Sequence, residues 1–500
     1  MEMAVSAESV GQYQGDAVVV EVVHKALLSG PAGEANAALG GLIAQLMDAG
    51  EIRGKAGEVT ILHTQGRLPA ARVAVVGLGE SSQVDLFVVR RAMGAAVRQL
   101  RDRGCHRVAT TLAQDLPVAV RLEAAVSAVV EGAYVGLYRG EECKSETGRP
   151  EELDELRIIG LPEADLEAAG EAANAARVAG EATNYARRLV NLPPSEVTPA
   201  WLAREATEVA AQTGMQVRVL EPEELRELGM GALLAVGKGS DNASRLIVLR
   251  HQGRSNGPRL ALLGKGVTFD SGGLSIKQPT DLHLMKDDMA GAAAVLAAMR
   301  GIAQRRLALD VTALLPAAEN MPSGGAYRPG DVVRSLSGKT IEIISTDAEG
   351  RLLLADALTY ARQLGATHLV DVATLTGACI IALGHVAAGV MGTDNALVEA
   401  VLDAGEAAGE RMWRLPLFPE YRKLLDSKVA DLKNVGGRPA GTITGGWFLR
   451  EFVGETSWAH VDIAGTAHAD RDEPHQVEGG TGAGTRMLIA LAERMAGGTT

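Results

Sequence analysis

Leu260-Ala261-Leu262-Leu263, followed by GKGVTFDSGGLSIK at 264–277, is the stretch whose reading decides how this chain folds. The apolar run has the length and composition of a short buried strand. The residues after it are expected to place Lys265, Asp270 and Lys277 in a loop broken by glycines. Gly266, Gly272 and Gly273 let the backbone turn sharply and approach a ligand closely. Two lysines and an aspartate at such a turn are also compatible with ordinary surface charge. A second charged cluster, Asp347-Ala348-Glu349-Gly350-Arg351, with Asp288 between the two, favours a site.

Outward from this stretch the pattern alternates strands and helices. Strands are expected at 245–250, 260–263, 309–315, 340–344, 368–375 and 458–463. Helices are expected at 289–304, at 351–364 with Gly365 as its stop, and from about Thr485 onward. Residues 436–446 read as a Gly-rich loop before Trp447. Lys265, Asp347, Glu349 and Thr374 all fall at or just past strand ends, where open α/β sheets bind ligands. Towards the N-terminus, strands at 17–23 and 72–76 alternate with helices at 86–100 and 121–135. Between the two α/β patterns, residues 165–192 are rich in Ala, Glu and Arg and end at Pro193-Pro194, as a connecting helix would. The expected organisation is an N-terminal α/β domain at 1–165, a linker helix at 166–194 and a larger α/β domain at 195–500.

Composition narrows the class. A chain of 500 residues with 47% hydrophobic content supports two domains and a large core. Aromatic residues are only 3%, and the net charge is −13 (49 basic against 62 acidic). Both argue against nucleic acid or an anionic membrane as partner. Cys105, Cys143 and Cys379 are far apart and form no C-x-x-C, so neither a disulfide framework nor a zinc ribbon is expected. Cys379 reads as core. A reducing, cytoplasmic location is expected. The first twenty residues lack the apolar core of a signal peptide, and no long uncharged apolar run suggests a membrane span. Gly77-Leu78-Gly79 follows a strand, but Ser82 stands where the dinucleotide fingerprint needs its third glycine.

Asp270, Asp288, Asp347 and Glu349 are four carboxylates without a matching set of histidines. Packed together they repel, and two divalent cations would cancel their charge. Oxygen-rich ligation suits Mg, Mn or carboxylate-bound Zn. Two such metals can share a hydroxide and assist displacement at a carbonyl or at phosphorus. Lys277 and Arg351 are then free to hold or stabilise an anion. Arg351 also opens a helix, whose N-terminus favours anions. Lys265 is either a third cation or a neutral amine on a metal. Competing motifs are missing: there is no H-E-x-x-H, no G-x-S-x-G and no phosphate-binding G-x-x-x-x-G-K-[ST]. Ser271 reads as a turn serine, His283 as a structural or outer residue, and His460 and His468 as flanking an apolar strand.

With these residues in place, the chain resembles the leucyl (cytosol) aminopeptidases, a two-metal family. The matching segments are GKGVTFDSGGLSIK at 264–277, MKDDMAGAAAV at 285–295, STDAEGRLLLADAL at 345–358 and DVATLTGA at 371–378. WAHVDIAGTA at 458–467 and NLPPSEVTP at 191–199 also agree. The resemblance implies a catalytic metallopeptidase domain with a central mixed sheet and two divalent metal ions per subunit, Mn or Zn. It implies that Lys265, Asp270, Asp288 and Glu349 bind one metal. Asp270, Asp347 and Glu349 would bind the other, with the main-chain carbonyl of Asp347. Lys277 would polarise the scissile carbonyl, and Arg351 would hold a bicarbonate as general base. Met285, Thr374, Ala464 and Ala467 would line the pocket for the N-terminal side chain, with Leu375 helping to position the substrate. The implied activity is removal of Leu and other apolar residues from peptide N-termini by a homohexamer built as a dimer of trimers.

Some positions depart from the family's usual pattern. Ser345 replaces an asparagine, and Thr444-Gly445-Gly446-Trp447 and 481–484 differ from the commoner residues. These bear on pocket shape, not on the ligand set. Two other classes also accommodate the residues: a two-metal phosphoesterase, and a DNA-binding role that would need a local basic groove.

Overall fold

The computed structural model describes residues 1–114, 116, 120–145, 152–253 and 257–497. It divides into two compact units, Met1–Asn184 with Arg471–Glu478, and Tyr185–Asp470 with Gly479–Thr500.

The first unit is built on strands β1 (Glu2–Val5), β2 (Ala17–Val22), β3 (Val59–His63), β4 (Arg72–Gly77), β5 (Arg107–Thr110) and β6 (Glu155–Ile158). They pair in the order β1-β6-β5-β2-β4-β3. All pairings are parallel except that of the edge strand β3 with β4. The near-continuous valine run of β2 is buried along its length, as a central parallel strand requires. Helices Leu86–Arg101 and Leu122–Leu137 pack with their backbones almost in contact. A Cβ at Gly132 would lie 2.2 Å from the Arg90 carbonyl oxygen, so only glycine fits. Gly77 has an equally local explanation. A side chain there would meet the Lys55 carbonyl oxygen at 2.2 Å, so the G-x-G serves close backbone packing.

The second unit carries β7 (Gln216–Leu220), β8 (Arg245–His251), β9 (Arg259–Gly264), β10 (Gly266–Asp270) and β11 (Asp310–Asn320). These are followed by β12 (Val332–Arg334), β13 (Thr340–Glu342), β14 (His368–Ala373), β15 (Ala388–Gly392), β16 (Met412–Arg414), β17 (Leu432–Lys433) and β18 (Ser457–Asp462). The central sheet runs β16-β15-β18-β14-β9-β11-β8-β7, with β10 added against β11. It is mixed. β18, β14, β9 and β11 are mutually parallel, and β8, β7 and β15 introduce antiparallel pairings. Strands β12, β13 and β17 form a separate small sheet.

Alternation along the strands sends side chains to two buried faces. Ala261, Leu263, Leu369 and Ala373 join the cluster around helix Gly350–Gln363. Their neighbours Leu260, Leu262, Val370 and Val372, also buried, face the other way, where helix Ala290–Gln304 packs. That helix is apolar nearly all round because it lies inside the unit.

Four expectations are corrected. The expected loop after Gly264 holds a strand, because Gly266–Asp270 extends the sheet beside the far end of β11. That strand itself, expected at 309–315, runs on through Pro316 to Asn320. The expected loop at 436–446 becomes helix Gly441–Arg450, in which burial of Thr444, Phe448 and Leu449 overrides the poor helix propensity of glycine. His460 lies within β18, not beside it.

Candidate active site

Lys265 is the single residue between β9 and β10. Its N–H donates to the Val372 carbonyl at 3.1 Å, and its carbonyl accepts from Ala292 N–H at 2.8 Å. The backbone is thus pinned between β14 and the buried helix. The ammonium reaches Asp288 Oδ1 at 2.7 Å and Glu349 Oε1 at 2.9 Å. It also donates to the Thr374 carbonyl at 2.9 Å. Gly350 makes room for it: a Cβ there would lie 2.5 Å from Lys265 Cε.

Asp270 ends β10. Its Oδ1 accepts from Asn320 Nδ2 at 2.7 Å and from Gly272 N–H at 2.9 Å. Its Oδ2 lies 2.8 Å from Lys277 Nζ, which also meets Asp347 Oδ1 at 2.6 Å. Gly272 and Gly273, with φ of +85° and +63°, fold the chain back so that Lys277 returns to Asp270. Ser271 closes this turn: its hydroxyl donates to the Asn320 carbonyl at 2.7 Å and accepts from Gly273 N–H at 3.1 Å.

The loop carrying Asp347 and Glu349 is tied down from three sides. Asn320 Nδ2 and the Tyr327 hydroxyl both donate to the Thr346 carbonyl, at 2.9 and 2.8 Å. Thr346 Oγ1 donates to the Gly272 carbonyl at 2.6 Å. Buried Asn434 accepts from Ile344 N–H at 2.8 Å and donates to the Ser345 carbonyl at 2.6 Å. Arg351 stands in the first turn of helix Gly350–Gln363 and donates to the Asn434 carbonyl at 2.7 Å.

Four carboxylates therefore face two ammonium groups. Burial, with Glu349 nearby, pushes the Asp270 carboxyl up to about 6. Burial also raises Asp288 and Asp347 above the usual range. Glu349 is lowered despite its burial, because Lys265 and Lys277 favour its ionised form. Both lysines are raised: burial works against their charge, and the surrounding carboxylates outweigh it. Among the described residues, Asp288 Oδ2 and Glu349 Oε2 are buried without a hydrogen-bond partner. One oxygen each of Asp270, Asp347 and Glu349 lies within 4.8 Å of the others. Crowded oxygens, two of them orphaned, with too little positive charge, fit divalent cations.

The structure pairs six of the seven charged residues singled out in the sequence with one another, while Arg351 donates to the Asn434 backbone carbonyl. Thr374 joins them, donating to Asp288 Oδ1 at 2.8 Å. Leu375 and Ala464 meet through Asp462, which accepts from both N–H groups. Met285 lies on the 3-10 turn Leu282–Asp287 leading into Asp288, and Ala467 is buried in the turn after β18. Cys379 is buried and free. Asn320, Tyr327, Asn434 and Asp462 escaped the sequence reading. Asn320, Tyr327 and Asn434 carry no local pattern that marks them, and Asp462 shows only as a polar residue at the end of an apolar strand.

The C-terminal portion, residues 184–489, matches the model of the cytosol aminopeptidase family catalytic domain, and residues 19–147 match that family's N-terminal domain. The chain belongs to the cytosol aminopeptidase family. It is a hydrolase of the aminopeptidase class. A probable cytosol aminopeptidase of Geobacter sulfurreducens is 46% identical over 452 residues, 90% of each chain. One from Solibacter usitatus is 44% identical over 494 residues, 98% of this chain and 99% of that one. Among solved structures, a bottromycin maturation enzyme in complex with Mn superposes with TM-score 0.85 at 37% identity, covering 96% of this chain and all of that one. A mutant of tomato leucine aminopeptidase superposes with TM-score 0.88 at 33% identity, covering 99% of this chain and 96% of that one.

Proposed function

We propose that this family member is a two-metal aminopeptidase releasing Leu and other apolar residues from peptide N-termini. The observation that carries the reading is the buried carboxylate cluster with the orphaned oxygens of Asp288 and Glu349. Lys265, Asp270, Asp288 and Glu349 would hold one cation, and Asp270, Asp347 and Glu349 the other. Mn or Zn suits this donor set, and the relative solved with Mn supports the choice. When bound, such cations supply Lewis acidity and lower the pKa of water.

The two lysines have different work. The Lys265 side chain is 3% exposed, that of Lys277 25%, so only Lys277 is open to a substrate. Its ammonium, held beside Asp270 and Asp347, would stabilise the charge that a carbonyl oxygen gains during attack. Arg351, at a helix N-terminus, would hold an anion such as bicarbonate, which would supply a general base. Met285, Thr374, Ala464 and Ala467 line the pocket for the N-terminal side chain, and Leu375 orients the peptide.

No helix among the described residues is long and apolar enough to cross a membrane. With the relatives named cytosol aminopeptidases, this supports a cytoplasmic location. The family resemblance supports a homohexamer, and light scattering showing a fully active monomer would refute it. The activity is tested with leucine anilide, before and after chelation and with metal add-back. A nitrophenyl phosphate cleaved in preference to the anilide would replace this reading with a phosphoesterase.

A further inference from the structure

Next to the carboxylate cluster lies a second group of buried ionisable side chains that the proposed chemistry does not use. Asp371 on β14 and His460 on β18 are register partners, and Asp462 lies two residues further along β18. All three are 0% exposed. Asp371 Oδ1 and His460 Nδ1 are 2.6 Å apart, and Asp371 Oδ2 accepts from Trp458 Nε1 at 2.7 Å. Both oxygens of Asp371 are thereby used within the sheet.

Asp462 turns outward from the sheet. Its Oδ1 accepts from Leu375 N–H and Ala464 N–H, each at 3.2 Å. Its Oδ2 accepts from the Thr376 hydroxyl at 2.7 Å. One carboxylate thus joins the segment leaving β14 to the turn leaving β18. Those two segments supply four of the five residues proposed to contact substrate: Thr374, Leu375, Ala464 and Ala467. A carboxylate fully removed from water is costly unless paired. Burial raises the Asp462 carboxyl, and the His460 charge opposes that rise.

We propose that Asp462, supported by His460 and Asp371, is a positioning residue that sets the distance between the Leu375 and Ala464 walls of the substrate pocket. The inference rests on the pocket assignment made above. It assigns substrate fit to a buried carboxylate that touches neither the metals nor the peptide. Parallel neighbours β14 and β18 end level with one another, Ile463 N–H donates to the Ala373 carbonyl at 2.9 Å just beyond that point, and the Asp462 carboxylate adds the side-chain tie between Leu375 and Ala464. Asp462 converts strand register into pocket width.

The test compares wild type with Asp462→Ala and Asp462→Asn on alanine, leucine and phenylalanine anilides, with elemental analysis and thermal melting of each protein. Asn keeps an oxygen able to accept both N–H groups; Ala removes it. Each lost hydrogen bond is worth about 1 kcal/mol, so Asp462→Ala should raise KM for the leucine anilide by roughly tenfold or more. Its kcat should change less, its metal content should match wild type, and its selectivity among the three anilides should flatten. Asp462→Asn should restore KM to within about threefold and recover the selectivity. If Asp462→Ala does not fold, Thr376→Val replaces it: it removes the hydroxyl that donates to Oδ2, together with that hydroxyl's contacts with Cys379 N–H and Thr442, leaves both N–H bonds on Oδ1, and should raise KM about threefold with metal content intact. The proposal is overturned if the variants lower kcat and metal content together at constant KM. It is equally overturned if Asp462→Asn is no better than Asp462→Ala, or if Thr376→Val leaves KM unchanged. A wild type inactive on every anilide would instead remove the aminopeptidase reading itself.

Discussion

Lys265 Nζ lies 2.9 Å from Glu349 Oε1, while the other oxygen of the same carboxylate, Oε2, is buried with no partner among the described residues. A lysine and a glutamate 84 positions apart in sequence meet because Lys265 sits between two strands and Glu349 caps the helix packed on the sheet. Half of that carboxylate is satisfied by the protein, and half is left for something else.

The first prediction is metal dependence. Removing the cations leaves four crowded carboxylates, so strong chelation should abolish hydrolysis and lower the melting temperature. Adding Mn, Zn or Co should restore both. Ligand present at a hundred times its Kd stabilises by about 2.7 kcal/mol, enough to read by thermal denaturation. Full activity in protein shown by elemental analysis to be metal-free would defeat the two-metal reading.

A second prediction separates holding metal from stabilising charge. Asp347→Ala should lose metal occupancy and rate together. Lys277→Ala should keep its metals and lose kcat by roughly 10²–10³, as for one donor to a developing oxyanion. KM should move less than kcat. Near-wild-type kcat in Lys277→Ala would show that Lys277 is merely a loop residue.

Gly350→Ala provides a third. The added Cβ would press on Lys265 Cε at 2.5 Å. The flexible end of a lysine normally moves aside, but this one would have to give up Asp288, Glu349 and the Thr374 carbonyl. Overpacking a filled site typically costs about 1–3 kcal/mol. kcat/KM should therefore fall about tenfold or more while secondary structure, followed by circular dichroism, is retained. Unchanged kinetics would mean that the Lys265 position is not demanding.

A fourth concerns pH and stability away from the site. Asp356 is buried, and accepts from Leu233 N–H at 2.9 Å and Leu336 N–H at 2.7 Å. Burial pushes its carboxyl up to about 7, against an unfolded value near 4. Between those values the folded state binds the extra proton, so this group's contribution is complete at low pH and is lost as pH rises through about 7. Asp356→Asn cannot titrate. The stability of wild type relative to Asp356→Asn should therefore decline from pH 5 to pH 8. A difference that stays flat across that range would contradict the raised value.

Much of the site was legible in one dimension. Lys265, Asp270 and Lys277 lie within one short stretch, and Asp347, Glu349 and Arg351 within another. Each stands beside an apolar run or a helix start, and charge of that kind beyond strand ends carries its own chemical reason. The α/β rhythm was equally plain, because buried parallel strands such as β2, β9 and β14 are short unbroken apolar runs.

The sequence by itself singled out four carboxylates, two lysines and an arginine, the residues proposed to hold cations and to stabilise an anion. Only the tertiary structure decided which oxygens are left over and which lysine is reachable. It also placed the supporting residues. Asn320 ends an alanine-rich strand containing a proline, and Asn434 directly follows the two-residue strand Leu432–Lys433 of a small sheet. Neither has a local pattern to mark it, yet both hold the Asp347 loop. The helix at Gly441–Arg450 is a similar case, since its glycines argue against it locally and burial of Phe448 and Leu449 favours it. The physical reason is common to all three. Local propensity is worth about 1 kcal/mol or less per residue, whereas burying a side chain or satisfying a buried polar group is worth more, and those partners are distant in sequence.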